Sequence, residues 1–208
     1  MLATEWDKDR MKGEGWWMSE KYDGIRAMWI GNQLFTRTGK QIKIPDEFRI
    51  SLPPISLDGE LWIQYGLQQT SLQLTKSPKN KYWENVVFQV FDTIDTSLPF
   101  EERQEQLTQL KSKMEMNNKV RIIPMIKCKN EEHLQHYFDT IIKKGGEGII
   151  LREPNSMYTP GRSYSMRKYK EFQDTEVLII KDMFPHGFIC KQYVIDLICY
   201  FLLIILFL

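Results

Sequence analysis

The stretch "SEKYDGIRAMW", residues 19–29, puts Lys21, Asp23, Gly24 and Arg26 within six positions, hemmed in by apolar and aromatic residues. Lys21 is either a reactive nucleophile or one more surface lysine on a half-buried strand. A Lys-x-Asp-Gly tetrapeptide is short enough to recur by chance, so alone it favours a hairpin with a solvated lysine. The surroundings of this stretch, and motifs elsewhere in the chain, decide between the two.

Outward from it the chain reads as strands more often than helices. Residues 25–36, "IRAMWIGNQLFT", form two short strands joined by a turn at Gly31-Asn32. "QIKIP" (41–45) alternates and stops at a proline. "ISLDGELWI" (55–63) is a strand interrupted by Asp-Gly-Glu, the pattern of a strand that bends past a site. "NVVFQVFDTID" (85–95) is a near-continuous apolar run rich in Val and Phe, hence a buried strand. After Pro99, Phe100, Leu107 and Leu110 recur at helical spacing with charges between them, which predicts an amphipathic helix. "VRIIPMIKC" (120–128) reads as one strand and 130–146 as a helix capped by Asn130 and ended by Gly145. A strand at 147–153 follows.

Composition bounds the possibilities. At 208 residues, with 42% apolar and 26% charged residues, the chain has room for one folded domain with a sizeable core and a small appendage. The formal charge of +1 makes it no polycation, so any contact with nucleic acid needs basic side chains gathered on one face. Cys128, Cys190 and Cys199 are scattered and odd in number, which points to a reducing, intracellular compartment and to neither a zinc site nor a disulfide framework. The charged N-terminal stretch has no apolar segment of the secretory kind.

Six short motifs fall beside or on the expected strands, in this order: "EKYDGIR" (20–26), "TRTG" (36–39), "LDGEL" (57–61), "VFD" (90–92), "GGEGIILR" (145–152) and "GRSYSMRKYK" (161–170). Each is weak alone. As an ordered set they resemble the covalent nucleotidyltransferases, the superfamily of ATP-dependent DNA ligases, RNA ligases and mRNA capping enzymes. Within it the chain looks like a small ATP-dependent DNA ligase, of the kind that works in replication, recombination and repair. The resemblance covers residues 1–182 and implies an α+β, ATP-grasp-like adenylation domain of antiparallel sheets flanked by helices. It also implies ATP and Mg²⁺ or Mn²⁺ as cofactors and nicked DNA as partner. An RNA ligase, a capping guanylyltransferase, or an inactive remnant that binds ATP or nucleic acid are the alternatives.

The resemblance makes Lys21 the catalytic residue that carries AMP. A lysine amine attacks the α-phosphate of ATP only when deprotonated, which calls for burial or neighbouring positive charge. Lys168 and Lys170, alternate residues on a strand, point to one face and would present two ammonium groups to the triphosphate. Glu60 and Glu147, next to glycines that let the backbone approach a ligand closely, are assigned to the metal, with Glu60 also near the ribose. Arg26 and Arg37, joined by Arg162, suit the nucleotide sugar and a 5′-phosphate because a guanidinium donates a planar fork of hydrogen bonds. Phe91 is the expected adenine platform, and Ser19 sits where relatives read the adenine edge. Asp23 and Asp58, in Asp-Gly turns, are expected to hold loops.

The likeness stops after residue 182. Ligases of this type continue into an OB-fold, a β-barrel that clamps DNA, whereas residues 183–208 end in "FICKQYVIDLICYFLLIILFL". This tail is expected to be a divergent, truncated or non-native stretch in place of that domain, which weakens nick sealing unless a partner protein supplies the clamp. Membrane association by the tail is less favoured, since a helix over its uncharged part would span only ~18 Å of a ~30 Å hydrocarbon core.

Overall fold

Two mixed β-sheets organise the first part of the chain. The computed structural model describes residues 1–66, 77–114, 118–171, 177–182, 188–192 and 203–204. Its strands are β1 (Leu2–Glu5), β2 (Trp17–Glu20), β3 (Ile25–Ile30), β4 (Gln33–Thr36), β5 (Gln41–Ile42), β6 (Leu57–Trp62), β7 (Val87–Thr93), β8 (Val120–Ile122), β9 (Ile126–Lys127), β10 (Gly148–Arg152), β11 (Arg162–Lys170), β12 (Val177–Asp182), β13 (Phe188–Gln192) and β14 (Leu203–Ile204). Helices α1 (Asp46–Arg49), α2 (Phe100–Met114) and α3 (Glu131–Lys143) lie between them.

The six-stranded sheet has the order β5-β4-β3-β6-β7-β8, antiparallel except for β7 and β8. The hairpin β3–β4 turns at Gly31 and Asn32, whose φ values of 55° and 62° are both left-handed, the geometry whose twist matches that of the flanking strands. Leu34, Leu57, Leu61, Phe88 and Val90 pack with Trp29, Phe48 and Leu107 into the larger core. The second sheet has the order β1-β11-β10-β2-β9, antiparallel except for β1 and β11. It buries Met18, Ile149 and Leu151 against Leu134, Phe138 and Ile141 of α3, residues spaced three or four apart along one helix face. Asn130 caps α3 by accepting a 2.8 Å bond from the His133 N–H.

Three details differ from the sequence expectations. Residues 120–128 form two strands in different sheets, β8 and β9, because the chain crosses between sheets around Pro124 and proline cannot donate to a ladder. Asp58-Gly59 lies inside β6 and not in a turn. The bend expected there is a β-bulge: Asp58 pairs with Asp92 and Gly59 with Val90, which leaves Phe91 as the extra residue of β7. The parallel pairs make both sheets mixed, and the architecture is the expected α+β class.

The compact unit that holds both sheets runs from Met1 to Lys170, and a second unit covers Glu171–Leu208. In the second unit β12, β13 and β14 make a three-stranded antiparallel sheet. Val177–Asp182, grouped above with the first domain, thus pairs inside the second unit. Most of the apolar tail from residue 193 onward lies outside the described residues. Among the described residues no helix is long and apolar enough to cross a membrane.

Candidate active site

A cavity of about 620 Å³ opens in the first unit, and its walls come from both sheets. Lys21, Ser19, Arg26, Arg37, Glu60, Phe91, Glu147, Arg162 and Lys168 all line it. Lys170 does not: it is the last residue of β11, opposite Gly148, and its charge acts instead to lower the pKa of Asp23. That carboxyl is still pushed upward overall, by burial first and the neighbouring Glu147 second.

Lys21 follows directly on β2, and its N–H donates to the Gly148 carbonyl at 2.9 Å. That bond sets it beside the start of β10, where its ammonium pairs with the Glu147 carboxylate. On the other sheet, Arg26 and Glu60 are direct cross-strand partners on β3 and β6. Glu60 accepts a 3.2 Å bond from the Gly24 N–H, yet burial pushes its pKa up to about 8 against the pull of Lys21, Gly24 and Arg26. Two carboxylates therefore flank one ammonium. Lys168 is also held, by Glu5 at 2.8 Å.

The glycines do something other than admit a ligand. A Cβ on Gly24 would sit 2.2 Å from the Leu61 carbonyl oxygen, and one on Gly59 would sit 2.6 Å from the Gln89 carbonyl oxygen. Close strand packing, and not approach to a phosphate, is what demands glycine at these two positions. The bulge beside Gly59 matters more for the site, because an extra strand residue re-aims its side chain. Here it turns the half-buried Phe91 into the cavity. The Arg26 guanidinium lies 5.4 Å from the Phe91 ring centroid, within cation–π range.

Behind Arg26 stands Asp58, fully buried. It takes both ends of the guanidinium fork, with Nε at 3.0 Å and Nη2 at 2.6 Å, and a third bond from the Tyr158 hydroxyl at 2.8 Å. Burial works to lower the Arg26 pKa, but its Asp58 bonds outweigh that and the net shift is upward. Burial, then the Asp58 charge, drive the Tyr158 phenol well above the usual tyrosine value, so it stays a donor.

A second buried ionic cluster lies nearby. Asp92 receives Arg103 through Nε at 2.7 Å and Nη2 at 3.1 Å, and Arg152 Nη2 at 3.2 Å. Arg103 also donates to the carbonyls of Leu98 and Ser156. Arg152, which lines the cavity, sits 4.9 Å from the Phe100 ring centroid. Tyr158, Asp92, Arg103 and Arg152 were not singled out from the sequence. Arg103 carried a signal, since it falls three residues after Phe100 and four before Leu107, on the apolar stripe of α2.

Among the described residues no cluster of three or more His, Cys, Asp or Glu could hold a metal ion. Glu60 and Glu147, two of the four carboxyl side chains that line the cavity, nonetheless fit a hard divalent cation, which uses few protein oxygens and completes its shell with water and phosphate.

The first unit coincides with the match to a family model, the ATP dependent DNA ligase domain, over residues 1–170. The chain is 35% identical over 169 residues to a DNA ligase of Haemophilus influenzae, covering 80% of this chain and 62% of that protein. A DNA ligase of African swine fever virus is 26% identical over 181 residues, covering 78% of this chain and 43% of the viral protein. The chain thus spans about two fifths to three fifths of the length of these relatives. Among solved structures, one from a structure-function analysis of Lig E DNA ligases superposes with a TM-score of 0.82 at 28% identity, covering 92% of this chain and 78% of that one. The Chlorella virus DNA ligase-adenylate shares the fold at TM-score 0.72 and 22% identity, covering 91% and 75%. With the ordered motifs gathered around one cavity and the match spanning the whole unit that holds it, the chain belongs to the ATP-dependent DNA ligase family, as an adenylation domain.

Proposed function

We propose that this protein uses ATP to load AMP onto Lys21 and passes it to the 5′-phosphate of a nick in DNA, where the adjacent 3′-hydroxyl displaces it. In the first step a bond forms between Lys21 Nζ and the α-phosphorus as the bond to pyrophosphate breaks, and the ammonium must first give up a proton. The observation that carries this reading is the position of Lys21 at the junction of both sheets, in one cavity with Arg26, Glu60, Phe91, Glu147, Arg162 and Lys168. Placing reactive groups in one site lowers the barrier by orientation and by charge stabilisation.

Glu147 is the carboxylate in contact with the ammonium that must lose its proton. Arg162 and Lys168 would neutralise phosphate oxygens, with Lys168 exchanging Glu5 for them. Phe91 would lie against the adenine, while Arg26 would reach the sugar and later the nick phosphate. Glu60 and Glu147 would hold Mg²⁺ or Mn²⁺, which supplies charge neutralisation to the triphosphate.

Incubation with ATP labelled at the α-phosphate tests the first step. Wild type is expected to acquire covalent label and Lys21→Ala none; a wild type that never labels removes the basis of the reading. Nick-sealing gels with DNA and RNA substrates, and GTP in place of ATP, test the substrate. Sealing of RNA nicks alone, or label from GTP alone, would favour an RNA ligase or a guanylyltransferase.

A further inference from the structure

The connection between β10 and β11 is pinned from outside the cavity. Met157 bridges to Pro99, and Arg103 donates to the Ser156 carbonyl at 3.1 Å. Tyr158 follows these anchors, with its ring 5.8 Å from the Arg103 guanidinium and only 6% of its surface exposed. It is outside the cavity lining, and yet its hydroxyl reaches across to β6 on the other sheet, where it meets Asp58.

We infer that Tyr158 is a positioning residue for nucleotide binding, acting through Asp58 to hold Arg26 over Phe91. Asp58 Oδ2 accepts from two donors at once, Arg26 Nη2 and the Tyr158 hydroxyl. A carboxylate held at that oxygen by a second donor, from the anchored β10–β11 connection, is restrained, so the guanidinium it grips keeps one orientation. Pre-set donors cost a ligand less to engage than donors it must order itself. The phenol also ties the β10–β11 connection to β6 of the six-stranded sheet. The inference rests on the reading of the cavity as a nucleotide site.

The test is the equilibrium Kd of the full chain for ATP, measured by calorimetry with no turnover required, for wild type and Tyr158→Phe. Phenylalanine keeps the ring and deletes one hydrogen bond to a charged, buried partner, so the melting temperature is expected to fall by about 3–12 °C and, if the bond positions Arg26, the Kd to rise about tenfold. The same change is then made in an Arg26→Ala background. If Tyr158 acts through Arg26, removing its hydroxyl there changes the Kd by less than about twofold, the signature of coupled sites. A tenfold loss that persists without Arg26, or a drop in melting temperature with no change in Kd, overturns the inference. Wild type that binds ATP with the expected Tyr158 dependence but never labels Lys21 would sink the adenylylation reading and leave this one standing. Wild type that binds no ATP would sink both.

Discussion

Arg103→Met offers the sharpest test of how this site is supported. Arg103 is completely buried, and so is its partner Asp92. The substitution keeps a long apolar stem but deletes two bonds to Asp92 and those to the Leu98 and Ser156 carbonyls. Asp92 would keep only Arg152 at 3.2 Å. Removing Arg103 leaves buried Asp92 with one longer contact in place of three, and breaking a buried pair in this way costs about 3–5 kcal/mol. For a domain of this size that corresponds to a fall in melting temperature of about 6–20 °C. Arg10→Met is the control, because the Arg10–Asp7 pair at 3.4 Å is exposed on both sides and such pairs contribute roughly 0–1 kcal/mol. Urea titrations followed by tryptophan fluorescence would measure both. A third variant replaces Asp92, Arg103 and Arg152 together by Leu, Met and Met; with no charge left buried in the cluster, it should recover most of the loss. The reasoning is refuted if Arg103→Met costs no more than Arg10→Met, or if the triple variant is less stable than the single one.

Other perturbations follow from the same geometry. Glu60, whose pKa burial raises from 4.5 to about 8, binds more protons folded than unfolded between those values. Its contribution to stability is therefore present below pH 4.5 and lost as pH rises toward 8, by at most ~1.4 kcal/mol per pH unit. The stability difference between wild type and Glu60→Gln, taken from urea midpoints at pH 5 and pH 9, should move in favour of the glutamine variant at the higher pH; a pH-independent difference would contradict it. Gly59→Ala places a methyl 2.6 Å from the Gln89 carbonyl oxygen and should destabilise by about 1–3 kcal/mol. Asn130→Ala deletes the cap bond to His133 N–H and should cost ~1 kcal/mol without altering ATP affinity. Phe91→Ala should raise the Kd for ATP by about 5- to 150-fold if the ring carries the base, the range expected for loss of one aromatic stack; an unchanged Kd would assign Phe91 to Arg26 alone.

The local elements were legible in the sequence because each rests on a short-range rule. Gly31-Asn32 marked the β3–β4 turn through its tolerance of left-handed backbone, Asn130 marked the start of α3, and Phe100 with Leu107 marked the buried face of α2. Nine of the ten proposed site residues were found together because motif order survives folding even though motif spacing does not. Lys170, expected beside Lys168 on one face of a strand, is the site residue that does not line the cavity, though its charge reaches Asp23, which does.

What only the tertiary structure decided is pairing over distance. Asp58 reads as a turn residue until β3 and Tyr158, 32 and 100 positions away, supply its three donors. Asp92 and Arg152 read as ends of apolar strands until Arg103 enters from α2. The Lys21–Glu147 contact spans 126 positions and exists because β2 and β10 are neighbours in one sheet. Side-chain chemistry and local backbone preference are properties of the chain, so the sequence by itself determined which residues carry groups suited to nucleotidyl chemistry. Which charge neutralises which depends on burial and on strand order, because an ion pair has meaning only where water has been excluded and both partners have arrived.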